Sequence, residues 1–200
     1  MATHLESAGK FTADALKMAV FEHKHKRVNI MWDYRGQKRP PFAEQPEPGQ
    51  ESVWDYPRPP KVVACNSKIE VLHNDSVIAR STATYRVLET ASPPTFYIPK
   101  KNIDWTLLVP APEQTFCEWK GVATYWYLAD NPAGAAVAWQ YMDPRKGFEM
   151  LREHVSFYPA RVACYVDSER VRPQHSEFYG GWVTNNIAGP FKGDPGTGKW

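Results

Sequence analysis

The sequence is poor in cysteine, and no two of its cysteines are close together. Cys65, Cys117 and Cys164 are far apart and odd in number, which argues against a disulfide scaffold and for a reducing compartment. No C-x-x-C pair occurs, so structural zinc held by paired cysteines is disfavoured and no metal site is expected. Charge of one sign is also missing. Twenty-four Lys and Arg stand against 22 Asp and Glu, a net +2, which disfavours nucleic acid as a partner. No apolar run is long enough to span a membrane, and the N-terminus has no signal-peptide core. A soluble cytoplasmic protein is the expectation.

What the chain has instead is proline and aromatic rings. Eighteen prolines favour short strands and fixed turns over long helices. Aromatics make up 14% of the residues, and they are densest, together with reactive groups, in Thr115 to Tyr127. Read as one strand, this stretch puts Phe116, Glu118, Lys120, Val122, Thr124 and Trp126 on one face. Cys117, Trp119, Ala123, Tyr125 and Tyr127 fall on the other. Gly121 is a candidate bulge that would switch the alternation. In either case a lysine is held among rigid aromatic surfaces.

Residues 1–28 read as an amphipathic helix capped by Thr12 and running into the basic run His23 to Arg27. That run reads as a solvated helix end in preference to an anion site. Residues 35–61 form a proline-rich strap, docked through Trp54 and Tyr56, with Arg58 at the edge of a ligand site. From Val62 onward short β-branched segments alternate with turns, of which His73-Asn74-Asp75-Ser76 and Asp167-Ser168 are the clearest. Short helical segments are expected at Asn102–Leu108 and Gly147–His154. Phe178–Trp200 is glycine-rich and irregular. The pattern predicts a mainly β fold: one compact domain of short antiparallel strands, a sandwich or barrel, with minor helix and an N-terminal extension.

Five segments then carry a resemblance: ESVWDYPRPP at 51–60, VLETASPPTFYIP at 87–99, FCEWKGVATYW at 116–126, FYP at 157–159 and FYGGWVTNNIAGPFKGDPGTGKW at 178–200. In this order they resemble the family catalogued as domain of unknown function 427, found in bacteria and fungi. The resemblance covers roughly residues 51–200 and leaves 1–50 as an extension. It implies a compact, mainly β domain similar to the β-tent proteins. Some catalogues call the family a nucleotidyltransferase.

The residues give that label no support. Nucleotidyl transfer needs carboxylates that hold metal ions near phosphates. Asp167 and Glu169 are spaced for it, but they read as a hairpin tip. The tail Gly193 to Lys199 imitates a phosphate loop, yet Trp200 stands where Ser or Thr should follow. The favoured reading is a pocket for a small anionic, ring-bearing, nucleotide-like ligand. Lys120 sits at its centre, with Arg58 and Lys192 as companion cations and Tyr97, Tyr125, Trp126, Tyr179 and Trp182 as walls. Each aromatic also reads as core packing, and Lys120 as one half of an ion pair with Glu118 or Glu89. An enzyme on the same pocket is the alternative, with Lys120 and Glu89 as acid–base partners and Cys117 as a nucleophile. An aromatic-faced protein-interaction domain is a third reading. No cofactor follows from the sequence.

Overall fold

The structure is a computed structural model and describes residues 34–176 and 178–197. The helix expected over 1–28, with its basic run, lies outside the described residues. The described residues form fifteen strands. Chain order gives β1 Glu51–Ser52, β2 Lys61–Cys65, β3 Ile69–His73, β4 Ser76–Ser81, β5 Thr84–Glu89, β6 Ser92–Pro99, β7 Leu108–Cys117 and β8 Gly121–Leu128. After these come β9 Ala138–Gln140, β10 His154–Phe157, β11 Ala163–Val166, β12 Glu169–Arg170, β13 Arg172–Pro173, β14 Trp182–Val183 and β15 Ile187–Ala188. The fold is mainly β with antiparallel sheets, as expected. The described residues contain no α-helix. The two expected helical segments hold single 3-10 turns, Trp105–Leu107 in the first and Glu149–Leu151 in the second, and a further 3-10 turn at Lys100–Asn102 leads into the first. No helix among the described residues is long and apolar enough to cross a membrane.

Turn chemistry fixes the hairpins. Asn74 and Asp75 both adopt positive φ, 44° and 56°, and join β3 to β4 through the two-residue loop that the sequence indicated. Asp167 and Ser168 do the same for β11 and β12, at 48° and 72°.

A seven-stranded sheet runs in the order β2-β5-β6-β10-β9-β8-β7, and a four-stranded sheet in the order β12-β11-β3-β4. Alternation sorts side chains onto two faces of the larger sheet. Phe96, Ile98, Leu108, Leu128, Ala138, Val155 and Phe157 join Ile69, Val71, Ile78 and Cys164 of the smaller sheet in the main core. The opposite face carries Val62, Val87, Tyr97, Ala123, Trp139 and Tyr141, on which Phe148, Leu151 and Tyr158 pack. Cross-strand pairs Tyr85–Tyr97 and Tyr125–Trp139 make this second face aromatic.

Residues 34–50 are tied to the β domain. Tyr34 and Phe42 meet the ring of Trp54 edge-on, with centroids 6.0 and 5.2 Å away. Arg39 pairs with Asp55 at 2.6 Å, and the Glu44 N–H donates to Gly189 O at 3.0 Å. Truncation tests where the domain begins. A chain starting at residue 34 should unfold in one cooperative transition. One starting at residue 45 loses two aromatic contacts, together worth about 1–3 kcal/mol, and should melt several degrees lower by calorimetry. Equal melting temperatures would place the boundary after residue 45.

Candidate functional site

Lys120 owes its position to a turn. The stretch 115–127 is two strands and not one: β7 ends at Cys117, β8 begins at Gly121, and the two residues pair across the hairpin. Glu118, Trp119 and Lys120 form the three-residue loop. Gly121, at φ 100°, supplies the left-handed residue that such a loop requires. Arg145 fastens the loop. Its backbone N–H donates to Lys120 O at 3.1 Å, and its Nη1 donates to Glu118 O at 2.9 Å. The Lys120 side chain is thereby folded over the aromatic face, only 9% exposed, with Nζ 5.8 Å from the centre of the Tyr141 ring.

Beside it is a cleft of about 240 Å³. Lys120, Glu89 and Cys117, read from the sequence as catalytic candidates, all line it. So do Arg58, Tyr97, Tyr125, Tyr179 and Lys192 from the ligand-binding set. Trp126 and Trp182 do not. Trp126 neighbours Tyr125 on β8 and so points to the opposite face, where its ring lies 4.6 Å from that of Trp105. Trp182 is wholly buried in the main core, and its Nε1 donates to Phe157 O at 2.9 Å.

The cleft's carboxylates are spoken for. Arg58 Nη1 holds Glu89 Oε1 at 2.7 Å, Nη2 holds Glu118 Oε1 at 3.2 Å, and the guanidinium lies over the Trp119 ring at 5.5 Å. The Lys120 ion pair expected with Glu118 or Glu89 is therefore not made: among the described residues no carboxylate is within ion-pairing distance of Lys120. Its neighbours in the cleft include Cys117 and the rings of Tyr97 and Tyr141. Burial pushes the Lys120 ammonium down, but Tyr97, Cys117 and Glu89 together outweigh that and hold it above the ordinary lysine value. It is a cation at neutral pH. Burial pushes the phenols of Tyr97, Tyr141 and Tyr158 up, so they remain neutral hydroxyls. Tyr97 OH accepts from Trp139 Nε1 at 3.1 Å. Lys192 Nζ lies 5.1 Å over the Tyr179 ring.

Several cleft residues were not singled out from the sequence: Trp119, Trp139, Tyr141, Tyr158 and Gln174. Trp139 on β9 and Tyr141 just past its end stand two apart, an alternation that was there to be read. Gln174, in contrast, gives no sequence signal. It holds the tail to the cleft, donating to Lys192 O at 2.6 Å and accepting from the Gly181 N–H at 3.1 Å. Gly180 packs on Trp139 so closely that a Cβ there would fall 2.7 Å from ring atom Cζ3. At Gly180 the missing side chain lets the tail lie against Trp139. The phosphate-loop imitation spends its donors internally, since the Gly193 N–H donates to Thr197 Oγ1 at 2.9 Å.

A wider depression of about 890 Å³ opens between the ends of β2, β5 and β6 and is lined by Cys65, Tyr85, Lys100, Lys101 and His154. None of the sequence-predicted site residues reaches it. Burial against Tyr85, whose ring lies 5.0 Å away, pushes the His154 imidazole below its ordinary value. Glu153 raises it in part and Lys100 lowers it further. The folded state therefore resists protonation while the unfolded state accepts a proton near pH 6.5. Stability should fall as pH drops from about 7 towards 5, and His154→Gln should flatten that slope in denaturant melts across the range. An unchanged slope would assign the acid sensitivity to other groups.

Among the described residues no three His, Cys, Asp or Glu side chains converge as a metal site. No curated protein matches the chain. A family model described as "Domain of unknown function (DUF427)" matches residues 61–168. The match contains Glu89, Tyr97, Cys117, Lys120 and Tyr125, and stops short of Tyr179 and Lys192 in the tail. With more than half of its length matched, the chain belongs to the DUF427 family.

Proposed function

We propose that this domain binds a small anionic, ring-bearing ligand in the aromatic cleft, with the Lys120 ammonium as the anion contact. One observation carries the reading: a lysine only 9% exposed faces an aromatic cleft with no carboxylate in ion-pairing reach among the described residues. An anionic ligand would give this ammonium a charge-assisted partner that the described residues do not provide. The rings supply flat surfaces on which a planar group can stack. The domain division proposed alongside is an extension over 1–50 followed by the family β domain over 51–200, although residues 34–50 contact that domain.

The second reading, an enzyme on the same cleft, draws on Cys117 lining that cleft together with Lys120, a thiol and a cation in one place. Glu89 suits a base less well, because Arg58 already engages it at 2.7 Å.

A thermal-shift screen of metabolites tests the binding reading, since a ligand that binds only the native state raises the melting temperature. The expected hits are anions that carry a ring. Hits confined to uncharged compounds would count against it.

A further inference from the structure

The binding reading above leaves the class of anion open, and three features of the cleft narrow it. The first is size. At about 240 Å³ the space falls below the roughly 300–1,000 Å³ of ordinary ligand pockets. A water molecule in the liquid takes about 30 Å³, so the cleft has room for about eight. A single ring with a small substituent can lie wholly inside a cleft of this size, whereas a base, sugar and phosphate would reach out of it into solvent.

The second is charge. Three cations line the cleft. Arg58 is engaged by Glu89 and Glu118, and Lys192 beside Tyr179 is only half-buried. That leaves the Lys120 ammonium as the buried positive charge to be matched. A phosphate monoester carries about −1.5 to −2 at pH 7, so against one ammonium it would leave about half to one charge unmatched in a low-dielectric site. A carboxylate carries a single charge.

The third is the kind of donor. Phosphates are met by successive backbone N–H groups at helix N-termini or in nests. No α-helix exists among the described residues, and the tail loop uses the Gly193 N–H internally. The donors beside Lys120 are phenols. Tyr97 already accepts from Trp139 Nε1 at 3.1 Å, and its own O–H is a donor.

We infer that the cleft takes a single-ring aromatic monocarboxylate in preference to a nucleotide, its carboxylate held by the Lys120 ammonium and the Tyr97 hydroxyl and its ring among the cleft aromatics. This inference rests on the binding reading, and the test separates the two. Benzoate, its neutral isostere benzamide, AMP and inorganic phosphate are each titrated into the full chain by calorimetry. The same titrations follow with Lys120→Met and Tyr97→Phe.

Benzoate should bind at least about tenfold more tightly than benzamide or AMP, the scale of one charge-assisted hydrogen bond. In Lys120→Met, benzoate should fall to the benzamide level. Tyr97→Phe should weaken benzoate several-fold and leave benzamide unchanged. Tighter binding of AMP or phosphate, lost in Lys120→Met, would overturn the carboxylate inference while leaving the anion site standing. Equal binding of benzoate and benzamide would overturn both. Absence of binding by benzoate at millimolar concentration would overturn the inference whatever the others do. The wild-type comparisons decide these outcomes even if a variant fails to fold.

Discussion

Trp182→Ala should lower the melting temperature by about 6–20 °C and leave ligand affinity in the folded protein unchanged. The indole is fully buried between the sheets, 5.0 Å from the Phe96 ring, with Nε1 donating to Phe157 O at 2.9 Å. Truncating a buried tryptophan costs about 3–5 kcal/mol through lost transfer energy and the cavity left behind. The Phe157 carbonyl would also lose its partner, a further cost of about 1–3 kcal/mol unless water reaches it. In a domain of this size each kcal/mol moves the melting temperature by about 2–4 °C. A sequence reading that makes Trp182 a pocket wall gives the reverse: a small melting shift with a large loss of binding. Calorimetric melts beside a ligand titration separate the two.

Lys120→Met should do what Trp182→Ala does not. The methionine keeps most of the length and apolar stem of lysine. It strands no carboxylate, because Glu89 and Glu118 remain paired to Arg58 at 2.7 and 3.2 Å. The desolvation of the ammonium and the neighbouring groups that offset it are removed together, so stability should change by no more than about 1 kcal/mol in either direction. Ligand affinity should fall about thirty-fold, the equivalent of a desolvated charge contact of about 2 kcal/mol. Had Lys120 been half of a buried ion pair, its removal would cost about 3 kcal/mol or more in stability. The pH dependence follows from the raised value of Lys120 in the fold. Its contribution to stability is fully present below the unfolded lysine value of about 10.4 and is lost only as pH rises through the folded value. Wild type and variant should therefore run parallel through the neutral range and diverge only in alkali.

The fold was largely legible because its signals are local. Asn74-Asp75 and Asp167-Ser168 announce tight hairpins through residues that tolerate positive φ. β-branched alternation marks β2 to β5. Strand β7 was not legible. Pro110 and Pro112 argue against a strand, yet β7 is an edge of the seven-stranded sheet, where a missing N–H costs no ladder bond. Its register with β8 shifts between Pro110 and Gln114. The Glu118-Trp119-Lys120-Gly121 turn was also missed, since its aromatic composition reads as strand. Only Gly121 signals the three-residue loop.

For the cleft, composition indicated the stretch 115–127, and strand parity divides its members between two faces. Tyr125 and Trp126 are adjacent on one strand and cannot share a wall. Trp182 lies in a glycine-rich tail whose path depends on long-range contacts such as Gly180 on Trp139 and Gln174 on Lys192. No local pattern encodes those contacts. The convergence of Arg58, Glu89 and Glu118, from three segments far apart in the chain, is likewise a property of the tertiary fold.

The most direct test of the cleft as an anion site is a matched pair of melts. Wild type and Lys120→Met are heated with and without the same ring-bearing anion, at about one hundred times its wild-type dissociation constant. Native-state binding at that concentration contributes about 2.7 kcal/mol, a rise of roughly 5–11 °C for a domain of this size. The account predicts that rise in wild type and most of it absent in Lys120→Met, with the two unliganded proteins melting within a few degrees of each other. Equal ligand-induced rises in both proteins would contradict it.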